Sequence, residues 1–137
     1  MTKLLIFIHF FIGFGAVAGG LAGLLNPETP FTGLSPEILQ NGPFTSFFIP
    51  SLFLFIVLGL GNIIAGILAI KFPKSLFYLS VVMGGILSMF IIIQCWVMWA
   101  IVLLHVIFFV IGAFQFLAGA FPIAKEYLTN RRVKSSR

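Results

Sequence analysis

The chain has 137 residues, of which 61% are hydrophobic and only 8% charged, with a net charge of +5 and no aspartate. A soluble domain carries about 25% charged residues to build its polar shell, so a soluble globular fold is excluded. The apolar content also excludes disorder, and a lone cysteine, Cys95, excludes an intrachain disulfide scaffold. What remains is an all-α integral membrane protein.

A bilayer core about 30 Å thick takes roughly 20 apolar helical residues to cross. Residues 4–25 form the first such run, interrupted only by His9. Ala16-Val17-Ala18 after a Lys3-bearing start resembles a leader cleavage site. The run stays apolar through Leu25, beyond a leader's core, and is read as a retained span. Residues 26–46 form the first outer loop, punctuated by Pro27, Pro30, Pro36 and Pro43. Within it Ser35 as cap, Pro36 at the first helical position and Gly42 as terminator predict a short helix. Phe31, Leu34, Ile38, Leu39 and Phe44 give the loop enough apolar weight to fold onto the bundle's outer end. A packed connector is the expectation, with a lid or a docking surface as the alternatives.

Residues 47–70 form the second span, with Asn62 as its strongly polar interior residue and Pro50 in the first turn, where proline is tolerated. Residues 75–121 carry no charge at all. At about 1.5 Å per residue, one helix of that length is far too long for a single crossing. The run must fold back, and residues 94–99 are the expected turn, since Gln94 is polar and Trp96 and Trp99 suit the headgroup level. The third and fourth spans are then residues 75–94 and 98–121. Pro122 is expected to stop the fourth helix before a basic tail, residues 122–137. The whole reads as one membrane domain, a four-transmembrane-helix bundle.

All eight Lys and Arg residues fall on one side of this arrangement. Lys3 precedes span one, Lys71 and Lys74 lie between spans two and three, and Lys125, Arg131, Arg132, Lys134 and Arg137 follow span four. The positive-inside rule makes that side cytoplasmic, with both termini inside. The basic tail is read as a topology anchor against an anionic leaflet.

The inventory argues against catalysis. Glu28 and Glu37 are in the outer loop and Glu126 is in the tail, so no span holds a carboxylate. Proton relays, paired-acid peptidases and metal-dependent phosphotransferases need such groups. A single cysteine excludes an internal redox pair, and neither a phosphate-binding glycine loop nor metal-ligand spacing occurs. No cofactor is expected. Nucleic-acid binding is unsupported, because topology accounts for the positive charge.

Counted from the span ends, the buried polar residues sort into two layers. His9, Asn62 and Gln115 fall in the inner third of the membrane, and Ser88, Gln94 and His105 in the outer third. His9 and His105 should lie roughly 15 Å apart along the normal, too far to share an ion. The layers suit either interhelical hydrogen bonding or a polar pathway pinched at the midplane. Gly15, Gly19 and Gly23 in span one, Gly61 and Gly66 in span two, and Gly84 in span three supply small residues for close helix packing. The same stripes could serve a homodimer or docking on a larger membrane protein.

Asn26-Pro27, Gly42-Pro43-Phe44 and Phe48-Ile49-Pro50-Ser51, followed by an apolar run, and later Trp96, Trp99, Gln115 and Gly119, resemble an uncharacterised family of small four-helix bacterial inner-membrane proteins. Ser51 stands where that pattern usually has glycine. The resemblance implies a multi-pass protein of the bacterial cytoplasmic membrane and brings no activity with it. The expected function is a non-catalytic accessory, immunity-type or assembly subunit. A small channel or carrier for a solute or ion is the alternative.

Overall fold

The computed structural model describes residues 1–28, 37, 39, 43–99 and 101–137, and these are helical apart from short connections. Among the described residues four long helices stand out: α1 (Thr2–Leu25), α2 (Phe48–Lys71), α3 (Leu76–Met98) and α4 (Leu103–Ser135). All four are long and apolar enough to cross a membrane. Their outward faces carry large exposed apolar side chains, among them Phe7, Phe14, Ile64, Met89 and Leu117. Helices that are apolar all round and leave such a surface belong in lipid, and the form is that of a multi-pass membrane protein.

The bundle consists of two tight antiparallel hairpins, α1 with α2 and α3 with α4, joined along a thinner seam. Missing side chains set the tight pairings. A Cβ on Gly20 would lie 2.8 Å from the Phe55 backbone nitrogen, and one on Gly23 would fall onto Ser51 Oγ. In the second hairpin, a Cβ on Gly84 would stand 2.5 Å from the Phe116 nitrogen and 2.7 Å from the Gly112 oxygen, and one on Gly119 would stand 2.5 Å from the Phe77 oxygen. Gly19, Gly61 and Gly66 sit more loosely, against Leu54, Met83 and Phe10.

Gly15 departs from the packing stripe expected of it, for a Cβ there meets nothing within 4 Å. Successive steps of four residues drift about 40° around a helix, so a strict four-residue row cannot stay on one interface. The face that is buried in α1 instead runs through Leu5, His9, Ile12, Ala16, Gly20 and Gly23, in mixed steps of three and four.

Two other boundaries differ from the sequence reading. Helix α3 continues to Met98, so the reversal falls after residue 98 instead of at 94–99. Gln94 does not break the helix, since glutamine is a good helix former, and Trp99 ends it by taking a left-handed conformation (φ 50°). Nor does Pro122 stop α4, which runs on to Ser135. A proline removes one hydrogen bond, a loss tolerated in membrane helices. Residues 123–135 are rich in good helix formers and contain neither Gly nor Pro, so the helix carries on. Thr129 Oγ1 donates to the Lys125 carbonyl at 2.9 Å, and the Arg131 guanidinium lies 5.8 Å from the Tyr127 ring centre, both one turn apart.

Helix α2 is irregular in the middle. Residues Leu54–Leu60 form a π-helical stretch, a widened turn between two α-helical segments. The short helix expected from Ser35 to Gly42 lies outside the described residues. Of the loop, Leu39 and Phe47 are buried against Val97 and Met98, with Phe44 packed beside them. The Phe47 N–H donates to the Pro27 carbonyl at 2.9 Å, which ties the two ends of the loop together.

Candidate functional site

Along its length the bundle alternates apolar and polar layers. Nearest the end with the termini, Leu5, Ala69 and Leu76 form an apolar plug. Above it His9 from α1, Asn62 from α2, Ser80 from α3 and Gln115 from α4 meet, each with no solvent exposure. An apolar layer of Ile12, Leu58, Leu87 and Ile91 follows. Gln94 and His105 then line a cavity, and the cluster around Phe47 and Met98 caps the loop end.

The lower cluster draws one polar residue from every helix. Asn62 Nδ2 donates to the Leu58 carbonyl at 2.9 Å, within the widened turn, and this turns Oδ1 toward His9. His9 Nδ1 lies 2.9 Å from that oxygen, so the ring proton sits on Nδ1 and is donated. Ser80 Oγ, 3.2 Å from Nε2, then donates its hydroxyl proton to the ring. Both imidazole nitrogens thus have a partner.

Gln115 fits less well. Its Nε2 stands 3.1 Å from His9 Nδ1 and 3.3 Å from Nε2, and makes only a long 3.5 Å bond to Asn62 Oδ1. A nitrogen that close to both ring atoms cannot follow both of their diverging in-plane directions, so the amide lies against the ring face. Gln115 Oε1 is buried with no hydrogen-bond partner among the described residues.

Depth counting puts His9, Asn62 and Gln115 in one layer, and the structure joins them. Ser80 is the member that the sequence reading missed, though the same count finds it: it lies as far into its span as His9 does. In the other layer, Gln94 and His105 line one cavity of about 130 Å³, together with Gly15 and Gly19. The Val102 N–H points at His105 Nδ1 (3.4 Å), which holds the imidazole at the start of α4. Ser88 does not join them. It donates to the Gly84 carbonyl of its own helix at 2.9 Å.

Outside this cavity, between α2, α3 and the loop, lies a larger groove of about 590 Å³ whose walls are almost wholly apolar. Phe90 and Gln94 border both spaces. Phe90 also stacks on Phe53 of α2, with ring centres 5.4 Å apart and planes 10° from parallel. Among the described residues no three His, Cys, Asp or Glu side chains come together as a metal site would require. No family model, curated protein or solved structure matches the chain.

Proposed function

We propose that this chain is a non-catalytic multi-pass membrane protein acting as an accessory, immunity-type or assembly subunit through its intramembrane surface and first outer loop. One observation carries the reading: His9, Asn62 and Ser80 satisfy one another at the fully buried centre of the bundle, with Gln115 packed against them. Such a cluster specifies which helices pair and in what register. It leaves little for chemistry, and apolar layers seal it on both sides. The family resemblance is part of the same proposal, as is a place in a bacterial cytoplasmic membrane with both termini inside. The eight basic residues gathered at one end of four successive antiparallel helices support that orientation.

The test is native mass spectrometry of the assembly extracted gently from its own membrane. A different protein bound at fixed stoichiometry is the expected result, whereas a bare homo-oligomer counts against a subunit. The second reading, a small channel or carrier, is favoured by the Gln94/His105 cavity and the unpartnered Gln115 Oε1 stacked one above the other. Solute or ion flux in proteoliposomes that Asn62→Leu abolishes would establish it in place of the first.

A further inference from the structure

The cavity of about 130 Å³ that all four helices border is apolar except at one corner. Ile12, Leu87 and Phe108 wall it, and Gly15 and Gly19 of α1 make its room. That gives Gly15, whose missing Cβ would meet no atom within 4 Å, a use that helix packing does not. The polar corner is built by Gln94 and His105. His105 is only 6% exposed, and its Nδ1 accepts from the Val102 N–H, so the ring proton is on Nε2. Neither Nε2 nor the Gln94 amide has a hydrogen-bond partner among the described residues. A buried donor left unmet is costly, and here it borders open room. Among the lining residues there is no Lys, Arg, Asp or Glu. An apolar cavity of about 150 Å³ takes up one benzene, so the room suits a single six-membered ring, and Phe90 and Phe108 offer it aromatic neighbours.

We propose that this cavity binds one uncharged, phenol-sized molecule with an apolar body and a single hydroxyl. The hydroxyl oxygen accepts from His105 Nε2, and its proton goes to the Gln94 amide oxygen. The ring lies among Ile12, Leu87 and Phe108. One group thus gives both polar side chains a partner, whereas a hydrocarbon would leave both unpaired and an ion would find no opposite charge. Gly15 is exposed at the rim, so the entry faces the lipid, in which an uncharged phenol dissolves. The site uses no residue of the lower cluster and depends on neither functional reading.

Fluorine NMR of the full chain in nanodiscs, read against protein-free nanodiscs, tests it with para-fluorophenol, fluorobenzene and para-fluorobenzoate. The phenol is expected to bind at one molecule per chain, about fivefold more tightly than fluorobenzene, the equivalent of one net hydrogen bond. The charged benzoate should not bind. Gln94→Leu gives up no side-chain bond within the chain, and it should erase the preference for the phenol while fluorobenzene still binds. Gly15→Leu and Gly19→Leu fill the room from α1 and should abolish binding of both. A Cβ at Gly15 meets nothing, and one at Gly19 meets only Leu54 Cδ2 at 3.4 Å, so the fold accommodates these variants; an unfolding midpoint near the parent's checks that it does. Equal binding of the phenol and fluorobenzene overturns the assignment, as does a preference that survives Gln94→Leu or binding that persists in both glycine variants. Absence of any binding also overturns it and leaves the cavity to water.

Discussion

Asn62 and Gln115 are both fully buried amides of the same cluster, yet the structure gives them unequal weight. Asn62 closes two short bonds, to His9 and to the Leu58 carbonyl. Leucine there would strand a buried imidazole N–H, and an unsatisfied buried donor costs about 1–3 kcal/mol. That exceeds the roughly 0.6 kcal/mol average of a membrane hydrogen bond, because the partner left behind is penalised too. Gln115 makes one long bond and already leaves Oε1 unpaired. Gln115→Leu gives up little and relieves that orphan, so its effect should stay within about 0.5 kcal/mol of the parent. Unfolding of the two variants in the same detergent should therefore separate them clearly, with Asn62→Leu the weaker protein. The polar residues themselves were visible in the sequence against an apolar background. Their bonding was not, since tautomer and amide orientation are decided by neighbours from other helices.

Glycines divide in the same way between elements. Gly84 faces backbone atoms of α4, which cannot swing aside as a side chain can. Gly84→Ala should destabilise the bundle by about 1–3 kcal/mol, the range for overpacking, while Gly15→Ala, facing open space, should leave the unfolding midpoint within a degree or two. The spacing of small residues pointed to helix packing in general, but a helix apolar all round carries no mark of which face meets which neighbour. The reversal between α3 and α4 is a second element-scale feature. Trp99 occupies the left-handed conformation that glycine usually supplies at a helix C-terminus. An L-residue with a Cβ pays about 1–2 kcal/mol there. Trp99→Gly should raise stability in detergent by about 1 kcal/mol, provided the mutant is compared at equal helicity by circular dichroism. No Gly or Pro marks this turn in the sequence, which is why its place could be bracketed only to within a few residues.

At the scale of the molecule, composition and run length were enough to expect four long apolar helices, because a chain with so little charge has few other ways to fold. What they could not supply was the division into two hairpins with a groove between α2 and α3, which depends on small differences in close approach along the helices. Orientation is open to direct measurement. Cys95 is the lone cysteine, so a Cys95→Ala background allows single cysteines to be introduced elsewhere. With both termini inside, a membrane-impermeant maleimide should label Thr45→Cys in intact cells and should reach Ser136→Cys only after the membrane is opened. The opposite pattern would invert the topology.

The lower cluster also sets an order of events during synthesis. His9 enters the membrane first, and its cluster neighbours Asn62, Ser80 and Gln115 follow 53, 71 and 106 residues later. At about 5–20 residues per second, the imidazole waits on the order of seconds for Asn62 and about twice as long for Gln115. The first hairpin can therefore quench one ring nitrogen by itself, while the other stays open until Ser80 of α3 arrives. A chain stalled between those two moments displays a single unmet acceptor in the lipid.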